Sequence, residues 1–338
     1  MTGKLVVAVP SKGRLQGNAS AFFTRAGLVL RQPGGARDYR GAFEGVKNID
    51  VLFLSAAEIT SQLATGGAHL GVTGEDLLRE TVADVDRKLV LLVPLGFGHA
   101  NVVVAVPRAW IDVRSMADLD DVAASLRARS GQRMRVATKY VNLTRRFFGE
   151  HGLGDYRIVE SAGATEGAPA AGSAEIIVDI TTTGATLAAN GLKVLDDGVI
   201  LRSEAQLVAS LAAAWNEASR EAARSLLQRI TAEETARTLR EVHVDIPVGE
   251  EAAFAELPQS FGAQRLHSGH GGAPRFLVAS EQAHGFCDWL VAKGASVVTV
   301  GGLDFVYTAR NELWEKLQAR LDVTGAARPP TSPARVTS

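Results

Sequence analysis

Short apolar runs alternate with segments of helical periodicity along most of the chain. Residues 5–9 (Leu-Val-Val-Ala-Val) read as a buried strand, Pro10-Ser11-Lys12-Gly13-Arg14 as a turn, and 16–26 as a helix. The pattern recurs with a strand at 51–54, a helix at 58–65, a strand at 70–72 entering Thr73-Gly74-Glu75-Asp76, and apolar runs at 88–95 and 101–106. A second α/β unit follows: a strand ending in Val136-Ala137-Thr138-Lys139, a helix at 142–148, and a strand at 175–180 that runs into Thr181-Thr182-Thr183-Gly184-Ala185-Thr186. Alternating strands and helices predict largely parallel sheets with the ligand site at the carboxyl ends of the strands.

The texture changes near residue 205. Ala- and Leu-rich helical periodicity predicts one long helix over 206–230, and Thr231-Ala232-Glu233-Glu234 resembles a capping box opening another. A strand at 242–248, a Gly/His/Ser loop at 259–274, a strand at 276–279, a helix at 282–293 stopped by Gly294, and a strand at 296–300 form a βαβ-like unit. After 321 periodicity ends, and a disordered tail is expected.

Length and charge narrow the function classes. A chain of 338 residues implies two or three domains. Lys plus Arg total 36 against 37 Asp plus Glu, so a net charge of -1 gives no overall attraction for nucleic acid or an anionic membrane. The single cysteine, Cys287, excludes an intrachain disulfide and a Cys-rich zinc site and fits a cytoplasmic location. No apolar run approaches the ~18 residues of a membrane span, and 5–10 is too short for a signal sequence.

The densest chemistry lies at 175–186, where an apolar strand delivers Asp179 and then four hydroxyls around Gly184. Such a loop can cradle a phosphate through backbone N–H groups and threonine hydroxyls, with Asp179 accepting from ribose hydroxyls. A Thr-rich turn whose hydroxyls merely cap a helix fits the same letters. Neither the G-x-x-x-x-G-K-[ST] nor the G-x-G-x-x-G phosphate fingerprint is present, so the segment suits a phosphorylated sugar better than an NTPase or a dehydrogenase.

These residues, with others in order, resemble the ATP phosphoribosyltransferase family of histidine biosynthesis. Val178 to Leu187 with Asn190-Gly191-Leu192 is similar to the family's phosphoribosyl-pyrophosphate loop, and Pro10-Ser11-Lys12-Gly13-Arg14-Leu15 to its P-x-K-G-R-L element. Gly71-Val72-Thr73-Gly74-Glu75-Asp76, Leu95-Gly96-Phe97-Gly98 and the stretch from Ala137 to Arg146 complete five ordered matches.

The resemblance implies a two-lobed α/β catalytic core of periplasmic-binding-protein-like topology plus a small α+β, ferredoxin-like or ACT-like, C-terminal domain. The catalytic region would span 1–230 (first lobe 1–107 and 195–230, second lobe 108–194), the regulatory-like domain 231–322 and the tail 323–338. The implied reaction joins ATP to phosphoribosyl pyrophosphate, with Mg²⁺ carried by the donor and no protein-bound metal site. Carried over, Thr181, Thr182, Thr183, Gly184, Ala185 and Thr186 grip the donor's 5-phosphate, Asp179 its ribose, and Glu166 offsets positive charge at the anomeric carbon. Lys12 and Arg14 would neutralise pyrophosphate or triphosphate. Glu75, Asp76, Lys139, Thr144 and Arg145 are candidate ATP contacts, although helix capping or plain surface charge accounts for them equally well.

The departures are specific. His99-Ala100-Asn101 stands where the family usually has a Cys-Arg pair after Leu-Gly-Phe-Gly, removing a cation. Val141 replaces a proline, as does Thr60, and Glu58 replaces an acid. The C-terminal segment resembles the long form's histidine-sensing domain at 242–247 and 292–300, which implies histidine as feedback inhibitor and a homo-oligomer, dimer or hexamer; 260–274 occupies the place of the effector loop. His267 and His270 in that loop read as exposed rather than as metal ligands. A non-catalytic binding or regulatory paralogue retaining the cleft is the rival reading. The roughly 100 residues after 230 argue against a short-form catalytic subunit.

Overall fold

The computed structural model describes residues 3–32, 39–161, 163–246, 259–266 and 273–326. Its first segment contains β1 (Leu5–Pro10), α1 (Gly13–Arg25), β2 (Leu30–Arg31), β3 (Arg40–Phe43), β4 (Ile49–Leu54), α2 (Ala56–Thr65), β5 (Leu70–Gly74), α3 (Glu75–Thr81), α4 (Val85–Lys88) and β6 (Leu89–Pro94). The second holds β7 (Asn101–Pro107), α5 (Met116–Ser130), β8 (Met134–Thr138), α6 (Val141–Glu150), β9 (Tyr156–Glu160), β10 (Ile176–Thr181), α7 (Ala185–Ala189) and β11 (Leu192–Leu201). The chain then returns through β12 (Ala205–Ser210) and α8 (Glu217–Thr238), and continues into β13 (Leu239–Asp245), β14 (Gln264–Leu266), β15 (Arg275–Ala279), α9 (Ala283–Ala292), β16 (Val297–Gly301) and α10 (Glu312–Ala326).

A seven-stranded sheet, β2-β3-β4-β1-β5-β12-β6, makes the first lobe. β1 is apolar throughout because both its faces are covered: Leu5, Val7 and Val9 pack with Phe22 and Phe23 of α1, while Ala8 packs with Ile59 and Leu63 of α2. β1, β4 and β5 run parallel, so Ser11, Ser55 and Glu75 follow at one edge. The second lobe is the sheet β11-β7-β10-β8-β9, in which β10, β8 and β9 are parallel. Its carboxyl edge delivers Lys139, Ser161 and Thr182.

Two crossovers join these edges, at 95–100 and 202–204, and they pair with one another. The Leu95 N–H donates to the Ala205 carbonyl, Ala205 N–H to Phe97, and Ala100 N–H to Ser203, each at 2.9 Å. The expected lobe limits at 107 and 195 therefore move: β7 and β11 pair with each other in the second sheet, placing 101–201 there.

Three other expectations are corrected. Residues 205–210 are a strand, not the start of a helix; β12 is buried between β5 and β6 in antiparallel register. A short Ala/Leu-rich run buried on both faces carries no distinguishing period. The helix begins instead after Asn216, whose carboxamide oxygen accepts from the Ser219 N–H at 2.9 Å. It runs unbroken to Thr238, so Thr231 to Glu234 lie inside it, as does the expected domain boundary at 230. Finally, α10 reaches Ala326 rather than giving way to a tail, and residues 327–338 lie outside the described residues.

The C-terminal sheet has the antiparallel order β14-β15-β13-β16, a ferredoxin-like arrangement in which β15–α9–β16 is a split βαβ unit around β13. Phe276, Phe286 and Val242 fill its core. β14 falls within the segment expected to be a loop, whose residues 267–272, with both loop histidines, lie outside the described residues. α10 leaves this domain: Leu313, Leu317 and Leu321 join the first-lobe core, and Lys316 Nζ donates to the Leu92 carbonyl at 3.0 Å. Among the described residues no helix is long and apolar enough to cross a membrane.

Candidate active site

On the first lobe, β1 hands the chain to Lys12, the N-cap residue of α1, and Gly13 follows at φ +73°, a conformation side-chain-bearing residues rarely adopt. Lys12 and Arg14 are exposed and form no ion pair or hydrogen bond among the described residues. At the start of α2, Glu58 and Ser55 form a capping box, which explains why glutamate serves here. The Ser55 hydroxyl and N–H hold the Glu58 carboxyl below its ordinary value, with a further contribution from Lys12.

Asp76, in the first turn of α3, is the best-connected of the candidates. Tyr140 Oη, from the second lobe, donates to Asp76 Oδ2 at 2.8 Å, and Ser203 Oγ, from a crossover, donates to Oδ1 at 3.1 Å. Burial pushes the Tyr140 hydroxyl well up, reinforced by the Asp76 charge, so it stays a donor. Four residues along α3, the Glu80 carboxylate accepts from the N–H groups of Asn142 and Leu143 at 2.9 Å each, capping α6 from the opposite lobe.

On the second lobe, β10 carries Asp179, Ile180 and Thr181. Burial raises the Asp179 carboxyl above the ordinary carboxylate value; the Ile180 N–H at 2.8 Å and Lys139 pull it back, while Glu166 adds repulsion. Glu166 sits in a 3-10 turn at Thr165–Gly167, entered through Ala164 at φ +50°. In the threonine loop, Thr181 Oγ1 accepts from the Gly184 N–H at 2.8 Å and Thr182 Oγ1 donates to the His99 carbonyl at 3.0 Å, anchoring the loop to the crossover. Some hydroxyls thus do cap the turn, yet the loop still walls a cavity of about 230 Å³ lined by Ala100, Ile180, Thr181, Thr182, Thr183, Ala185 and Thr186.

A second cavity of about 430 Å³ lies between the lobes, lined mainly by apolar groups including Leu15, Leu77, Gly98, Tyr140 and Ile180, with Asp76 and Lys139 at its wall. Ile180 borders both cavities, so they adjoin. Gly98 is tightly placed there at φ +68°: an added Cβ would stand 3.3 Å from Leu15 Cδ1 and 3.4 Å from Ala205 Cβ.

Among the sequence candidates, the structure thus sets Asp76 and Lys139 on the inter-lobe cavity and the threonine loop on the adjoining one; Asp179 lines neither, although it feels the charge of Lys139. Two are corrected. Thr144 is fully buried and its hydroxyl donates to the Tyr140 carbonyl at 2.6 Å, so it is internal to α6. Glu75 turns to Arg79 at 2.6 Å and to Gln206 at 3.3 Å rather than into the cavity. Arg145 is exposed and borders neither cavity. Tyr140, Ser203 and Glu80 escaped sequence reasoning; the only signal was a buried-type aromatic beside Lys139 in a strand-to-helix turn.

A family model described as ATP phosphoribosyltransferase matches residues 55–232, more than half of the chain. Proteins named ATP phosphoribosyltransferase from Afipia carboxidovorans and Rhodopseudomonas palustris are each 57% identical over 323 residues, covering 95% of this chain and 99% of theirs. Among solved structures, the ATP phosphoribosyl transferase (HisG:HisZ) complex from Thermotoga maritima aligns with a TM-score of 0.51 and 25% identity over 67% of this chain and 96% of that one. With a threonine loop, an acid and an apolar inter-lobe cavity converging where the lobes meet, and relatives matching nearly end to end, the chain belongs to the ATP phosphoribosyltransferase family.

Proposed function

We propose that the protein condenses ATP with phosphoribosyl pyrophosphate to N1-(5-phosphoribosyl)-ATP and pyrophosphate, the first step of histidine biosynthesis. The observation that carries this reading is the adjoining of the two cavities at Ile180, one lined by hydroxyls and one largely apolar. The hydroxyl-lined cavity suits the donor's 5-phosphate, through Thr181, Thr182, Thr183, Gly184, Ala185 and Thr186. The apolar one, within the size range of small-molecule sites, suits a purine against Leu15, Leu77 and Tyr140.

Adenine N1 carries its own lone pair at neutral pH and attacks the donor's anomeric carbon as the C–O bond to pyrophosphate breaks, so a protein nucleophile is unnecessary. Positioning and charge stabilisation supply the rate. Asp179 accepts from the ribose hydroxyls, Glu166 offsets the positive charge developing at the anomeric carbon, and Lys12 and Arg14 meet the pyrophosphate and triphosphate. Mg²⁺ enters as part of the donor complex; among the described residues no group of three or more His, Cys, Asp or Glu side chains is placed to hold a cation.

The test is to mix purified protein with ATP, Mg²⁺ and phosphoribosyl pyrophosphate and follow the absorbance of phosphoribosyl-ATP. Steady product formation is expected, and none at micromolar enzyme would overturn the reading in favour of a binding paralogue. We also propose a cytoplasmic homo-oligomer, dimer or hexamer, with histidine as feedback inhibitor through the ferredoxin-like domain. Titrating histidine into the same assay, and sizing the protein by sedimentation, test these separately.

A further inference from the structure

The hydroxyl-lined cavity contains no charged side chain: its walls are Ala100, Ile180, four threonines and Ala185. A phosphomonoester carries about -1.5 to -2 charges near neutral pH. The acids beside the loop, Asp179 on its strand and Glu166 in the 3-10 turn at Thr165–Gly167, already repel one another. Lys139, the cation facing Asp179, stands over the Tyr140 ring at 5.1 Å and borders the other cavity.

The two crossovers carry a single arginine, Arg202. It is exposed and forms no ion pair or hydrogen bond among the described residues. Its place is fixed by its neighbours: Leu201 is in register with Val102, and the Ser203 carbonyl accepts from the Ala100 N–H at 2.9 Å. Arg202 therefore stands opposite Asn101, and Asn101 is in register with Thr181 of the loop. Arg202, Asn101 and Thr181 form one row across three strands, and two strand spacings span about 10 Å. An extended guanidinium covers most of that distance, and asparagine at the intervening position supplies no charge of its own.

Building on the proposed function, we infer that Arg202 is a substrate-binding residue that supplies the missing counter-charge to the donor's phosphate at the threonine loop. A planar guanidinium presents paired N–H donors suited to phosphate oxygens. Its tether on the paired crossovers gives it a position that does not depend on either lobe alone.

The test is steady-state kinetics of wild type, Arg202→Gln, Arg202→Lys and the double variant Asn101→Arg/Arg202→Gln, with donor binding measured in parallel by titration calorimetry. Arg202→Gln is expected to raise the KM and Kd for the donor about tenfold while changing the KM for ATP less than twofold. Arg202→Lys should stay within about threefold of wild type, and Asn101→Arg should restore donor affinity when added to Arg202→Gln. A donor KM and Kd within twofold of wild type in Arg202→Gln, or no recovery in the double variant, overturns the inference. If Arg202→Gln does not fold, Asn101→Arg alone decides: charge added in this row lowers the donor Kd at least threefold, and an unchanged value refutes the assignment. Absence of turnover in wild type would instead overturn the proposed function, so the two failures are distinguishable.

Discussion

Tyr140 on the second lobe and Asp76 on the first share a 2.8 Å hydrogen bond that spans the cleft, while Ser203 of the crossover holds the other Asp76 oxygen at 3.1 Å. One carboxylate thus ties both lobes and their hinge. Tyr140→Phe keeps the ring that lines the apolar cavity and removes only the bridging donor. A hydrogen bond to a charged acceptor is worth about 1.5 to 3 kcal/mol. Because this one joins lobes, its loss is expected mainly as weaker substrate binding, with the KM for ATP rising five- to tenfold and urea stability falling only slightly. Unchanged kinetics in Tyr140→Phe would show that the bond does not help to hold the inter-lobe cavity.

Glu80 makes the second bridge, and here the chemistry is that of a helix cap supplied by another lobe. Its carboxylate satisfies the first N–H groups of α6, and its carbonyl accepts from Asn142 Nδ2 at 2.8 Å. Glu80→Ala removes the carboxylate and is expected to cost about 1 kcal/mol, the usual scale for a lost N-cap. With one clasp gone the free enzyme should be more open, giving a larger radius of gyration in small-angle scattering that donor and ATP together reverse. Identical scattering from variant and wild type would refute the clasp.

Much of the first two lobes was legible because buried parallel strands and amphipathic helices leave different periods, and because glycines mark the turns at Gly13, Gly98 and Gly184. Legibility ended where one pattern serves two structures. Ala205 to Ser210 is a central strand whose short apolar run looks like the next helix, and the helix beyond starts only at the Asn216 cap. The end of α10 leaves no such signal, because its last turn, Asp322 to Ala326, contains threonine, glycine and alanine without apolar repeats. For the site, a strand end delivering Asp179 and the threonines is a local signal. Tyr140 and Glu80 bond partners about 60 residues away in the chain, and Arg202 stands opposite Asn101, about 100 residues away, relations that no local spacing encodes.

Asp179 should make donor binding and stability depend on pH in opposite ways. Burial raises its carboxyl above the ordinary aspartate value of 3.8, so between that value and the higher folded one the native protein holds a proton that the unfolded chain has released. The unfolded state then binds fewer protons, and this group's contribution to stability rises as pH falls through that window; above it, the ionised carboxylate costs the fold its full penalty. Asp179→Asn is therefore expected to be more stable than wild type at neutral pH, the margin shrinking as pH falls through the window. In the proposed reaction the same carboxylate must be ionised to accept from the ribose hydroxyls. Asp179→Asn should bind the donor at least tenfold more weakly at neutral pH and lose the acid limb of the wild-type kcat/KM profile. A variant no more stable than wild type at neutral pH would contradict the burial argument.

Leu317 tests whether the last helix serves the catalytic lobe or the C-terminal domain that precedes it in the chain. Its side chain is fully buried in the first-lobe core, flanked on α10 by Leu313 and Leu321, and Lys316 ties the same helix to β6. Truncating a buried leucine to alanine costs about 2 to 5 kcal/mol, depending on how far the site collapses. Leu317→Ala should therefore destabilise the lobe that carries Lys12, Arg14 and Asp76. The tryptophans separate the possibilities: Trp215 and Trp314 pack against the first-lobe core, Trp110 against the second and Trp289 against the C-terminal one. With single-tryptophan versions in a urea titration, the Trp215 transition is expected at lower denaturant in Leu317→Ala, while Trp289 reports little change unless the two regions unfold together. Phe286→Ala, in the C-terminal core, should give the converse order. If Leu317→Ala instead shifts the Trp289 transition alone, α10 draws its stability from the C-terminal domain, and its packing on the first lobe contributes nothing to the catalytic fold.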